Sequence, residues 1–150
     1  MQLGIVVNSL NISQHTSLLI QQLNAIKNTD EYIDIALFYD DYDISIFNPH
    51  FGIFPQKHMW SFSGPVLATN LKTAQKLINC PAPTKKFFYV WDLEWIHMPT
   101  NFVETLDIYC NDKIELIARN EQYFSILEQQ WKKPIGIVED FNYEQLITII

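Results

Sequence analysis

Arg119 is the only arginine in the chain, and it directly follows an apolar run, Ile114–Ala118. A guanidinium at a strand end can hold a phosphate or carboxylate in a bidentate fork. Its plainer use is an ion pair with Glu121, Asp92 or Glu139. Asp92 and Glu94 sit in Trp91-Asp92-Leu93-Glu94-Trp95. If the strand before them continues, the period of two puts both carboxylates on one face. Such a pair can work as acid and base or share a metal, or simply solvate a strand end and cap a helix. Trp91 and Trp95 beside them can stack on a sugar or base, or fill the core. His15 falls in the first turn of a helix, where free N–H groups favour an anion; the alternative is an exposed first-turn histidine. His50, His58 and His97 lie in loops at no metal-ligand spacing, and we read no metal site from them.

These residues need elements to position them. Six short runs rich in Val, Ile, Phe and Tyr recur along the chain: Leu3–Val7, Ile33–Tyr39, Pro65–Thr69, Phe87–Trp91, Ile114–Ala118 and Ile135–Val138. Near-continuous apolar runs of this length mark strands buried on both faces, as in parallel sheets. Between them lie helical segments at Ser13–Lys27, Leu71–Asn79, Phe102–Tyr109, Glu121–Trp131 and Tyr143–Ile149. Asn11 with Gln14, or Ser13 alone, can cap the first; Asn70 and Asn120 can cap the second and fourth. Pro81 stops the second. Ile44–Phe62 contains Pro49, Gly52 and Pro55 and shows no helical stripe, so it reads as a long loop with room for one short extended piece. Its aromatic residues Phe47, Phe51, Phe54, Trp60 and Phe62 are expected to pack on the body of the chain or, failing that, to meet a partner chain or a second copy.

The alternation implies a single domain over residues 1–150, an α/β fold of the Rossmann-like type. It is a doubly wound, mostly parallel sheet of about six strands with helices on both faces. Ligands of such sheets bind beyond the carboxyl ends of the strands, near the switch point. Those ends carry Asn8, Ser9, Asp40, Asp41, Asn70, Asp92, Glu94, Arg119, Asn120, Glu139 and Asp140, with His15 on the adjoining helix.

Composition excludes other classes. The chain has 150 residues, 48% hydrophobic and 18% charged, which suits one globular domain. Its net charge of −7, from 17 acidic and 10 basic residues, argues against a phosphate-backbone grip on nucleic acid. No apolar run approaches the roughly 20 residues that span a bilayer, and no basic n-region opens the chain, so a cytoplasmic protein without membrane contact is expected. Cys80 and Cys110 have no CxxC spacing, which excludes a disulfide scaffold and a cysteine-rich zinc site. The glycines Gly4, Gly52, Gly64 and Gly136 form neither a dinucleotide fingerprint nor a P-loop, and no nucleophile elbow is present. No cofactor is expected.

One family shows a similar order of elements. The first strand passes through Asn8-Ser9 to the helix at His15. Pro65-Val66-Leu67-Ala68-Thr69-Asn70 leads into a second helix, and Phe88-Tyr89-Val90-Trp91-Asp92-Leu93-Glu94 follows. Ile114-Glu115-Leu116-Ile117-Ala118-Arg119-Asn120 precedes another helix, and Lys133–Asn142 holds the last strand. This arrangement resembles the N-terminal, acceptor-side domain of GT-B glycosyltransferases, enzymes built from two Rossmann-like domains. The resemblance implies a cleft at Asn8, Ser9, His15, Asn70, Asp92 and Arg119 that binds a sugar or nucleotide-sugar. His15 or Asp92 would act as base and Arg119 would hold a phosphate. The other wall of the cleft would come from a partner chain or a dimer. Two departures stand out: the family's glutamate pair separated by seven residues is absent, and Asn8-Ser9-Leu10-Asn11 replaces its glycine-rich turn. Two other readings stand beside it: a non-enzymatic interaction module that retains the fold, and a receiver-like domain binding a nucleotide or small molecule, for which Asp40 and Asp41 follow the second strand but no lysine ends the last strand.

Overall fold

The computed structural model describes residues 1–29, 32–42, 47–97 and 102–150. Seven strands lie in one sheet in the order β3-β2-β1-β4-β5-β6-β7. They are β1 (Gln2–Ser9), β2 (Asp34–Asp41), β3 (Gly52–Pro55), β4 (Val66–Ala68), β5 (Lys86–Val90), β6 (Glu115–Ala118) and β7 (Gly136–Ile137). Every neighbouring pair is parallel. The fold is therefore the expected doubly wound α/β arrangement, with seven strands where six were read.

The added strand is β3, the short extended piece inside the expected Ile44–Phe62 loop. Residues 44–46 of that loop lie outside the described residues. The helices are α1 (Gln14–Thr29), α2 (Leu71–Asn79), α3 (Glu94–His97), α4 (Phe102–Tyr109), α5 (Glu121–Gln130) and α6 (Tyr143–Ile147). All five expected helices are recovered to within two residues at each end. The last one ends two residues early, and Ile149 and Ile150 beyond it pack on the core. The turn α3 is new.

Strand periodicity divides the core into two layers. On one face Leu3, Ile5, Val7, Ile35, Leu37, Phe87, Tyr89 and Ile117 pack against α1 residues Leu19, Ile20, Leu23 and Ile26 and α6 residue Leu146. On the other, Val6, Phe38, Ala68, Phe88, Val90, Leu116 and Ala118 pack against Ala74 and Leu77 of α2, Ile108 and Tyr109 of α4, and Leu127 of α5. Gly4 points to this second face, where a Cβ would come within 2.9 Å of both Phe62 Cε1 and Val66 Cγ2. The close approach of Phe62 to β1 explains why glycine stands there. Of the loop aromatics, Phe47, Phe51 and Phe62 pack on the core, whereas Phe54 and Trp60 are exposed.

Chain direction sets the switch point. β1 to β3 step one way along the sheet, and β4 to β7 step the other, starting again beside β1. A crevice opens between the ends of β1 and β4, as the doubly wound order requires.

Candidate functional site

The carboxyl ends of β1 and β4 are tied together: Thr69 Oγ1 donates to the Val6 carbonyl at 3.0 Å. Above this tie lies a pocket of about 320 Å3 whose walls include Asn8, Ser9, Ser13, His15, Thr69 and Asn70. Its polar groups are hydroxyls, amides and one imidazole, with no formal charge. Several are already committed to local structure. Ser13 Oγ accepts from Thr16 N at 3.0 Å and caps α1, so the cap is Ser13 alone. Asn70 Oδ1 accepts from Thr73 N while Thr73 Oγ1 accepts from Asn70 N, a reciprocal capping box on α2. Ser9 Oγ accepts from Asn11 N.

Two groups are not committed. Asn8 Oδ1 and His15 Nε2 are buried and have no hydrogen-bond partner among the described residues. Burial, and secondarily the nearby Arg119 charge, lowers the His15 pKa from 6.5 to about 4. At neutral pH the imidazole is therefore uncharged, with one ring nitrogen a donor and the other an acceptor.

Aromatic residues wall His15 in. Its ring meets Trp91 edge-on at 5.1 Å and Phe141 at 5.4 Å. Trp91 and Phe141 are nearly parallel, 9° apart with centroids 5.3 Å apart. Phe141 reaches this position through a strained corner: Asp140 and Phe141 have φ of 44° and 60°, in the left-handed region that bulky residues avoid. Tyr89 anchors the approach to that corner by donating its hydroxyl to the Val138 carbonyl at 2.7 Å. Arg119 lies over Trp91 with its guanidinium carbon 3.7 Å from the ring centroid. Its Nε and Nη2 both donate to Asp140 Oδ1, at 3.3 and 3.0 Å. The ion partner is thus Asp140, and none of the three acids named from sequence.

The carboxylate pair has a different setting. β5 ends at Val90, so the condition for Asp92 and Glu94 to share a strand face is not met. Strand parity carries Tyr89 and Trp91 toward the His15 layer, while Val90 and Leu93 join the opposite layer. Asp92 is exposed and accepts from its neighbour Leu93 N at 2.8 Å. Glu94 Oε1 accepts from Leu71 N at 2.9 Å, which caps α2 from a distant segment. Burial raises the Glu94 pKa, this hydrogen bond counters the rise, and Asp92 adds to it. Asn120 Oδ1 accepts from Tyr123 N at 2.8 Å and caps α5.

The structure therefore brings Asn8, Ser9, His15 and Asn70 into one pocket and sets Arg119 behind Trp91 beside it. It puts Glu94 in a separate depression between α2 and α4. Sequence reasoning did not single out Ser13, Thr16 and Thr69 as pocket walls, nor Asp140 and Phe141 as the corner. Among the described residues, no cluster of three or more His, Cys, Asp or Glu is arranged to hold a metal ion, and no helix is long and apolar enough to cross a membrane. Cys80 is buried and Cys110 exposed, both free. No family model, curated protein or solved structure matches the chain.

Proposed function

We propose that this chain is a glycosyltransferase-like domain that binds a sugar or nucleotide-sugar in the β1/β4 crevice. The observation that carries the reading is the pair of unmet buried atoms, Asn8 Oδ1 and His15 Nε2. A sugar hydroxyl both donates and accepts, so it can satisfy an amide oxygen and an imidazole nitrogen together. The neutral hydroxyl and amide lining suits a polyol better than a strongly charged ligand. Arg119, held over Trp91 at the side, supplies a cation for a phosphate. Arg119 would reach that phosphate by exchanging it for Asp140.

His15, uncharged at neutral pH, is the base in this reading. Asp92 is assigned no role beside it, because its carboxylate belongs with the Glu94 side of the sheet. The test is thermal unfolding against a panel of sugars and nucleotide-sugars. A ligand at about 100 times its Kd stabilises the fold by roughly 2.7 kcal/mol. We expect a selective shift that Asn8→Ala and His15→Ala abolish; no shift with any member overturns the reading. One observation favours the interaction module instead: Phe54 and Trp60, 41% and 54% exposed, sit on and beside the edge strand β3. A complex with another chain that Phe54→Ser disrupts, together with a silent ligand panel, would select it.

A further inference from the structure

A second pocket, of about 520 Å3, lies where β2 and β3 end and α2 passes over them. Its volume falls within the roughly 300–1,000 Å3 typical of small-molecule sites. Its chemistry is unlike that of the β1/β4 crevice. Asp40 Oδ2 takes Lys72 Nζ at 3.0 Å and Lys76 Nζ at 2.8 Å. Lys76 also donates to Gln56 Oε1 at 2.7 Å. Because an ammonium only donates, this bond fixes the orientation of the Gln56 amide, with Oε1 toward Lys76 and Nε2 the other way.

Gln56 is only 9% exposed, and its Nε2 has no partner among the described residues. An NH2 group left unmet at this depth calls for an acceptor. Lys57 lines the same pocket and makes no salt bridge among the described residues. Two lysines thus share one carboxylate and a third, Lys57, lines the same pocket, in a chain whose net charge is −7. The one buried unmet side-chain atom of this lining among the described residues is a donor, Gln56 Nε2, and the lysines here outnumber the single lining carboxylate, Asp40. Trp60, 54% exposed, adds a flat apolar face at the rim.

We propose that this pocket is a second ligand site, distinct from the β1/β4 crevice, that takes a nucleoside monophosphate. The phosphate meets Gln56 Nε2 and Lys57, and the base stacks on Trp60. This assignment does not depend on the sugar reading of the other crevice.

Calorimetric titration with AMP, UMP, adenosine and inorganic phosphate tests it. At least one nucleotide is expected to bind more tightly than phosphate or adenosine alone. Gln56→Met, which keeps the side-chain length and removes the NH2, should weaken that binding about tenfold or more, as loss of a hydrogen bond to a charged group does. Lys57→Ala and Trp60→Ala are surface changes that serve if Gln56→Met folds poorly, and each should also weaken binding. His15→Ala should leave it unchanged. Binding of inorganic phosphate as tight as that of either nucleotide overturns the proposal. So does nucleotide binding that is indifferent to Gln56, Lys57 and Trp60 or lost with His15, and so does no binding by any probe.

Discussion

His15 and Glu94 sit at the same edge of the sheet, on opposite faces, and burial perturbs both. It drives the imidazole down to about 4 and the carboxyl up. Each stands beside an aromatic group, His15 within Trp91 and Phe141, and Glu94 near Tyr109 with its neighbours Trp95 and Trp131. The difference lies in hydrogen bonding. Glu94 Oε1 receives Leu71 N–H, and its burial serves to cap α2. His15 Nε2 receives and gives nothing among the described residues. A perturbed pKa therefore does not separate His15 from Glu94, whereas the bond from Leu71 N–H does; unmet capacity as such is found on both sides, since Tyr109 Oη and Trp131 Nε1 near Glu94 are also buried without a partner among the described residues. Strain also separates the two, since the left-handed corner at Asp140 and Phe141 lies on the His15 side.

The largest effect that sharpens this contrast is on pH. The His15 pKa is lowered on folding, so the unfolded chain takes up the proton more readily. The contribution is fully present above pH 6.5 and is lost as the pH falls toward about 4. Denaturant titrations at pH 7 and pH 4 should show the native protein losing about 3 kcal/mol more than His15→Gln over that range. Equal losses would mean that the imidazole is not buried uncharged.

Next comes the support of the corner. Tyr89→Phe removes the hydroxyl and orphans the buried Val138 carbonyl, at a cost of about 2 kcal/mol in equilibrium unfolding. On the opposite face, Glu94→Ala leaves Leu71 N–H uncapped and should cost about 1 kcal/mol, while Glu94→Gln keeps an acceptor and should recover most of it. Neither Glu94 variant should alter binding in the β1/β4 crevice; if either does, the division between the faces fails. The smallest effect is at Asp140→Asn. The exposed ion pair contributes under about 0.5 kcal/mol, asparagine tolerates the left-handed conformation, and Arg119 keeps its place over Trp91.

The strand–helix alternation was legible because buried parallel strands are apolar throughout, and the caps Asn70 and Asn120 were legible from residue type and position. β3 was only a short piece inside a loop because Gly52-Ile53-Phe54-Pro55 is an edge strand. Glycine and proline are tolerated there, and the outer side needs no apolar pattern. Within the site, Asn8, Ser9, His15 and Asn70 could be found because fold class alone says that ligands bind at strand ends. The grouping of Asp92 with His15 could not be settled by proximity to a strand end. It depended on where β5 stops, and one residue of parity decides which face a side chain joins. The Asp140–Phe141 corner carried no signal, since no glycine marks the positive φ.

The central claim is that the unmet His15 Nε2 is where a ligand docks. The most direct measurement follows the His15 ring nitrogens by NMR, first against pH and then as nucleotide-sugars are added. The account predicts a pKa near 4 in the free protein and a selective shift of the Nε2 resonance, saturating with one ligand class and absent in Asn8→Ala. A His15 that titrates near 6.5, or an Nε2 resonance that no ligand moves, would contradict it.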